Sequence, residues 1–181
     1  GKMHIKPKKK LGQNFLVDDT YLRRIVEAAG VGLQDEVLEI GAGLGSLTRH
    51  LAVSAAKVCA VEMDSRFMPV LKKVLKDFSN VTLINADMMK TDPGACVSRS
   101  GYLVVANIPY YITSALIRHL LEAEAKPARM ALTIQKEVAQ RICAKPGDLS
   151  LLALSVQVFG SPRVALAIPA GAFYPAPKVD S

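Results

Sequence analysis

The chain has 181 residues, of which 50% are hydrophobic, and it carries a formal net charge of +7. This length suits one α/β domain with a sizeable core and leaves too little for a second independent domain. No apolar run approaches the roughly 18 residues that span a bilayer, and no apolar segment follows the basic N-terminus. We therefore predict neither a membrane helix nor a secretory signal.

The cysteines and histidines show no metal-binding pattern. Cys59, Cys96 and Cys143 lie far apart, without a CxxC pair, and the three histidines form no HExxH motif. Such isolated cysteines are typical of buried thiols in a reducing compartment. We expect a cytoplasmic protein with no metal-dependent mechanism.

The N-terminal segment, residues 1–17, is basic, and Lys6, Lys8, Lys9 and Lys10 stand close together in it. Two interpretations are open. These lysines could lie along the phosphates of a polyanion, or they could be a solvated tail that aids solubility.

Strand-like and helix-like stretches alternate between about residues 18 and 145. Asp18 or Asp19 is predicted to cap the first helix, and Gly30 follows its end. Alternation of this kind predicts βαβ crossovers and a mostly parallel sheet with helices on both faces. The later segments are strand 36–40, helix 47–52, strand 57–61, a helix that Ser65 caps and that runs to Lys76, strand 81–84, strand 102–106, helix 114–121, strand 130–135 and helix 136–144.

The C-terminal part has a different pattern. Leu151–Phe159 and Arg163–Ile168 are two β-type runs joined by Gly160-Ser161-Pro162, which is a turn signal. We therefore expect an antiparallel edge on the parallel sheet. The Pro-rich stretch Phe173–Lys178 predicts an extended loop.

A nucleoside site is predicted at the carboxyl ends of the first three strands. Gly41, Gly43 and Gly45 follow the first strand, where glycines allow a sharp turn and close approach of a ligand. Glu62 ends the second strand, about 20 residues after Gly41, where a carboxylate can accept from both ribose hydroxyls. Asp87 follows the third strand and could accept from an adenine amino group. This arrangement fits either NAD or S-adenosylmethionine, although the spacing is GxGxG and not the GxGxxG of dinucleotide sites.

The fourth predicted strand runs directly into Asn107-Ile108-Pro109-Tyr110. The Asn107 side-chain oxygen and the Ile108 carbonyl could accept the two hydrogens of an adenine amino group and stabilise positive charge on its nitrogen. Pro109 would keep these acceptors aimed, and Tyr110 offers a face on which an extruded base can stack. The tetrapeptide therefore favours methyl transfer to adenine over nicotinamide chemistry.

These motifs, taken together, resemble the ribosomal RNA adenine dimethyltransferase family, and the resemblance covers essentially the whole chain. They are carried by 11–16, 39–45, Glu62, Asp87, 107–110 and 173–181. The resemblance implies a Rossmann-like, S-adenosylmethionine-dependent methyltransferase fold.

The resemblance also implies roles for individual residues. Phe15 would help to close the site, and Phe173 would sandwich the target base against Tyr110. The residues implied to bind S-adenosylmethionine are Gln13, Asn14, Leu16, Gly41, Gly43, Glu62, Asp87 and Asn107.

Two branches of the family are possible. Gly12 before Gln13 and the stretches 107–113 and 135–138 resemble the housekeeping branch. That branch dimethylates two adjacent adenosines near the 3′ end of small-subunit rRNA, and it implies the immature 30S subunit as partner of a monomeric enzyme. The other branch modifies one adenine of large-subunit rRNA and confers antibiotic resistance. A non-enzymatic RNA-binding assembly factor on the same fold is a further alternative.

The sequence departs from the family pattern in two places. The family continues past Ser181 into a further strand and a small helical domain, so we expect residues 1–181 to be a catalytic domain without that helical part. The loop Lys145–Ser150 is also shorter than is usual in the family.

Overall fold

The structure is a computed structural model that describes residues 13–108 and 110–181, without the side chain of Tyr110. The lysines of residues 6–10 therefore lie outside the described residues. No helix in the described ranges is long and apolar enough to cross a membrane. The elements are β1 Phe15–Leu16, α1 Asp19–Ala29, β2 Glu36–Ile40, α2 Ser46–Ser54, β3 Lys57–Glu62, α3 Met68–Val74, β4 Val81–Asn85, β5 Leu103–Asn107, α4 Thr113–Glu122, β6 Arg129–Thr133, α5 Lys136–Ile142, α6 Leu151–Gln157 and β7 Phe173–Tyr174.

Five strands form a parallel sheet in the order β4-β3-β2-β5-β6. Chain order runs outwards from β2 in both directions, as in doubly wound α/β folds, where the carboxyl ends of the strands around the reversal form a ligand crevice. The predicted fold class, a Rossmann-like and mostly parallel sheet, is confirmed.

Both faces of the sheet are covered, because neighbouring strand residues point to opposite sides. Val37 and Val105 belong to one buried cluster with Leu51 of α2, together with residues of α1 and α3. Leu38 belongs to the opposite cluster with Leu116 and other residues of α4. The central strands are therefore apolar along nearly their whole length, as buried parallel strands are.

Helix α1 begins and ends where the sequence predicts. The Asp18 side chain accepts hydrogen bonds from the backbone N–H groups of Thr20, at 2.9 Å, and Tyr21, at 3.4 Å. Gly30 ends the helix in the left-handed conformation, at φ 63°. The helix predicted to begin at Ser65 begins differently, because Asp64 and not Ser65 caps a short 3-10 turn, Ser65–Phe67, that leads into α3.

The prediction of a strand over Leu151–Phe159 is wrong, because Leu151–Gln157 is helix α6. Ser150 caps this helix, its hydroxyl accepting from the Ala153 N–H at 3.2 Å. Leu152 and Val156 pack against the core, so the apolar residues follow a helical period on one face. Arg163–Ile168 is also not a strand.

The antiparallel pairing is formed by other residues, in a two-stranded sheet of β1 and β7. Phe15 lies opposite Tyr174 and Leu16 opposite Phe173. The prediction of a loop for Phe173–Lys178 therefore holds only after Tyr174. This small sheet brings residues 13–17 and the C-terminal part together beside the end of β5.

Candidate active site

A cleft of about 250 Å³ opens at the carboxyl edge of the parallel sheet. The ends of β2, β3 and β5 and the turn after β4 all contribute to its walls, as the order of the strands requires. The predicted site residues that line the cleft are Gln13, Asn14, Phe15, Gly41, Gly43, Glu62, Asp87, Asn107, Ile108 and Phe173.

The glycine turn after β2 is packed closely against its neighbours. Gly41 has φ 83°, and a Cβ at this position would lie 3.3 Å from the Asn107 backbone carbonyl oxygen. Gly43 has φ 56°, and a Cβ there would lie 3.0 Å from the Phe15 ring. Both positions combine a left-handed backbone with close contact, so only glycine fits without strain.

Glu62 is held rigidly at the end of β3. One carboxylate oxygen accepts from the Gly43 N–H at 2.8 Å and the other from the Asp64 N–H at 2.8 Å. Burial raises the pKa of Glu62, and these backbone hydrogen bonds oppose the rise. Since a carboxylate offers about four lone-pair positions, capacity remains for hydroxyl donors in the cleft.

Asp87 has a structural role as well as a place in the cleft. Its side chain accepts from the Met89 N–H at 3.0 Å and caps the 3-10 turn Met88–Lys90. This cap fixes the carboxylate at the end of β4, where lone pairs that the cap does not use can accept from a ligand.

Asn107 lies at the end of β5 and is oriented by the N-terminal segment. Its side-chain amide nitrogen donates to the Asn14 backbone carbonyl at 3.0 Å. The amide oxygen is thereby directed away from that contact, as an acceptor. Ile108 is anchored by its own N–H, which donates to the Thr133 carbonyl at 3.2 Å. Pro109 and the side chain of Tyr110 lie outside the described residues.

The β1–β7 pair determines which aromatic and aliphatic side chains reach the cleft. Phe173 is only 4% exposed and belongs to the core cluster, yet it also forms part of the cleft wall. Leu16, beside it, is buried in the same core and does not line the cleft. The structure thus does not bring Leu16 together with the other predicted cofactor residues.

The sequence matches a known protein family over nearly its whole length. Residues 4–181 match the family model described as ribosomal RNA adenine dimethylase. The chain belongs to the ribosomal RNA adenine dimethylase family. This match includes the cleft residues on all of the strand ends described above.

Relatives within and near this family agree with the assignment. The chain is 46% identical over 178 residues to a ribosomal RNA small subunit methyltransferase A of Dehalococcoides mccartyi, covering 98% of this chain and 61% of the relative. The structure is similar to a dimethyladenosine transferase from Plasmodium falciparum, with TM-score 0.81 and 33% identity over 92% of this chain and 60% of that one. It is also similar to the 23S rRNA methyltransferase ErmE, with TM-score 0.79 and 32% identity over 92% of this chain and 66% of that one. The chain thus spans about three fifths of the length of the curated relative.

Several cleft residues of this family member are not predicted by the sequence motifs. They are Met63, Asp64, Met89, Tyr111 and Ile112. Asp64 has the clearest signal, a second carboxylate two positions after Glu62 at a strand end. Tyr111, which is 61% exposed, carries only the weak signal of an aromatic residue next to Tyr110.

A larger cavity of about 460 Å³ lies away from these residues. It is formed mainly by apolar side chains of α1, β6 and the segment 159–168, together with Arg129, which donates to the Gly30 carbonyl at 3.0 Å. It does not lie at the carboxyl ends of β2 and β3, and none of the family's motif carboxylates lines it. We therefore take the smaller cleft as the candidate active site.

None of the three cysteines lines the cleft. Cys59 is buried as expected, whereas Cys96 and Cys143 are only partly buried, and all three are free. Burial raises the pKa of the Cys59 thiol to about 12. Within the described ranges, no group of three or more His, Cys, Asp or Glu side chains is arranged to hold a metal ion.

Proposed function

We propose that this chain is the catalytic part of an S-adenosylmethionine-dependent enzyme that dimethylates N6 of two adjacent adenosines near the 3′ end of small-subunit rRNA. The observation that carries the proposal is Asn107. Its amide nitrogen donates to the Asn14 carbonyl, and the residue lines a cleft that also contains Glu62 and Asp87. We further propose that the chain acts as a cytoplasmic monomer on the immature 30S subunit.

The cleft residues fit the proposed cofactor. Glu62 offers acceptors for two ribose hydroxyls, and Asp87 offers an acceptor for an adenine amino group. Gly41 and Gly43 allow the chain to turn without a side chain that would enter the cleft. Gln13 and Asn14 also line the cleft and would help to enclose the ligand.

When bound, S-adenosylmethionine supplies a methyl group activated by its positively charged sulfur. The contribution of the protein is to hold and polarise the target amine. The Asn107 side-chain oxygen and the Ile108 carbonyl would each accept one N–H of the amine, which favours a tetrahedral and more nucleophilic nitrogen. Because positive charge develops on that nitrogen, these fixed dipoles stabilise the transition state more than the ground state.

Positioning provides the remaining rate enhancement. The Asn107 amide is fixed by Asn14, and the Ile108 N–H is fixed by Thr133. The Asn107 oxygen and the Ile108 carbonyl therefore lose little conformational entropy when the base binds. Phe173 and Tyr110 would stack on opposite faces of the flipped adenine. No general base is needed, because the proton of the methylated ammonium can pass to water.

Transfer from a methyl-labelled donor to immature small subunits tests the proposal. The parent chain should label two adjacent adenosines near the 3′ end of the rRNA. Asn107→Ala removes one of the two acceptors and should lower the transfer rate about 100-fold. Circular dichroism should show that the variant remains folded.

Other outcomes would contradict the proposal. Undiminished transfer by Asn107→Ala would refute the mechanism, and label on an adenine of large-subunit rRNA alone would move the chain to the other branch. In calorimetry, S-adenosylmethionine and S-adenosylhomocysteine should compete for one site. Binding of NAD alone would overturn the assignment of the cofactor.

A further inference from the structure

Asp64 has contacts that the proposed mechanism does not use. It stands two residues after Glu62, lines the cleft and is only 8% exposed. A carboxylate so deeply buried at the edge of a ligand site is costly unless it is paired. Its partners therefore indicate what it does.

The first contact of Asp64 is with the proposed ribose acceptor. The Asp64 N–H donates to Glu62 Oε1 at 2.8 Å, while Gly43 donates to Glu62 Oε2. The main chain of Asp64 thus fixes one half of the Glu62 carboxylate. A displacement of residue 64 would rotate the group that is proposed to hold the ribose.

The second contact is an ion pair with Arg66. The Arg66 guanidinium donates from Nε at 2.9 Å and from Nη2 at 2.6 Å, and the Arg66 backbone N–H adds a bond at 3.1 Å. These bonds hold the pKa of Asp64 well below its usual range. Asp64 is therefore a charged and strong acceptor throughout the neutral pH range.

The third contact is with the N-terminal segment. Gln13 Nε2 donates to Asp64 Oδ2 at 3.2 Å. The backbone carbonyl of the next residue, Asn14, accepts a hydrogen bond from the Asn107 side-chain amide at 3.0 Å. A continuous path of hydrogen bonds and covalent links thus runs from Glu62 through Asp64, Gln13 and Asn14 to Asn107.

We infer that Asp64 is a positioning residue that links the ribose site to the orientation of Asn107 through the segment 13–16. The inference rests on the proposed function, because it takes Glu62 as the ribose acceptor. A nucleoside that binds Glu62 holds residue 64 in place. Residue 64 in turn holds Gln13 and the carbonyl that aligns the Asn107 amide, so donor binding prepares the acceptor site for the base.

Amide hydrogen exchange of residues 13–18 tests this inference without turnover. S-adenosylhomocysteine at saturation, checked by calorimetry, should slow exchange of these amides in the parent chain. Asp64→Ala should reduce this ligand-induced protection about ten-fold, the size expected when a hydrogen bond to a charged group is removed. Exchange in α1, which follows directly, should stay as in the parent.

Matched variants separate positioning from folding. Gln13→Ala removes the side chain that donates to Asp64 and, at saturating S-adenosylhomocysteine, should reproduce the loss of protection. The double variant should show no further loss than Asp64→Ala alone. Asp92→Ala is the control, because Asp92 caps a similar 3-10 turn, Pro93–Ala95, with a bond of 2.9 Å from the Gly94 N–H but does not line the cleft. It should behave as the parent does.

The outcomes are distinguishable. Parent-like protection in Gln13→Ala, in a chain that binds S-adenosylhomocysteine, would overturn the role of Asp64 and leave the proposed function standing. Additive losses in the double variant would show that the two residues act separately and would also overturn the inference. A parent chain that does not bind S-adenosylhomocysteine would overturn both.

Discussion

Glu39 is a buried acid on the central strand β2, directly before the glycine turn. It is 1% exposed, and in the part of the chain that the structure describes its Oε2 has no hydrogen-bond partner. Burial raises its pKa from the ordinary value of 4.5 to about 8, the neighbouring Thr48 side chain opposes the rise, and the nearby Glu62 adds to it. At neutral pH this side chain is therefore mainly a neutral acid.

This burial makes folding depend on pH. Between pH 4.5 and about 8, unfolding releases a proton that the folded state keeps, so stability falls as the pH rises. Each pH unit in this window should shift the folding equilibrium by up to about ten-fold. Glu39→Gln removes the titrating carboxyl group. The free energy of unfolding, measured with urea, should then change less between pH 5 and pH 8.5 than it does in the parent chain. If the free energy of unfolding changed between the two pH values as much in the variant as in the parent chain, Glu39 would not be the group responsible.

At the scale of residues, spacing located most of the site but not the contacts inside it. The positions of Glu62, Asp87 and Asn107 in the cleft are predictable, because Glu62 and Asn107 end parallel strands and Asp87 follows one by two residues. The carboxyl ends of parallel strands meet at one edge of the sheet. The cofactor contact predicted for Leu16 stays a prediction, and the Leu16 side chain itself is buried in the core and does not line the cleft. The contact of Asp64 with Gln13 is not predictable from the motifs, because the two residues are 51 positions apart and no local pattern brings them together.

The turn between β2 and α2 is the element on which the cleft depends most. Gly43→Ala would place a Cβ 3.0 Å from the Phe15 ring in a left-handed backbone. We expect the free energy of unfolding to fall by about 1–2 kcal/mol from the backbone conformation alone. The free energy of cofactor binding should fall by more than this, because Phe15 must also move. Gly171→Ala is the control, since a Cβ there meets nothing within 4 Å. Calorimetry and thermal unfolding of the two variants make the comparison. Equal effects would show that close packing at Gly43 is unimportant.

Most elements were predictable from periodicity, and α6 shows where periodicity fails. A run such as Leu151–Phe159 contains enough Leu, Val and Phe to suit a strand. Only the tertiary structure shows that Leu152 and Val156 share one buried face while Leu151 and Val158 are exposed. Ser150 as a helix cap was a usable signal. The β1–β7 pair has no such signal in the sequence, because a strand of two residues is too short to show an alternating hydrophobic pattern.

At the scale of the whole molecule, the chain carries a net charge of +7. Which of its basic residues contact RNA can be tested. If the lysines near the N-terminus contact phosphates, Lys8, Lys9 and Lys10 changed together to Ala should weaken RNA binding. The dependence of log K on log salt should become less steep by about 0.7 to 0.9 for each phosphate that the variant no longer neutralises. Cofactor affinity should stay nearly the same, because the cleft itself is unchanged.

A charge-matched control decides whether position or total charge matters. Lys72, Lys73 and Lys76 are exposed lysines at the end of α3 and just beyond it, and changing them together to Ala removes the same charge from a different surface. We expect this variant to alter the salt slope less than the N-terminal triple variant does. Counterion release depends on the phosphates that the protein neutralises and not on net charge, so equal slopes in the two variants would mean that the N-terminal lysines act only as general charge. An unchanged slope in the N-terminal variant would identify them as a solvated tail, and RNA affinity would then have to come from the folded domain.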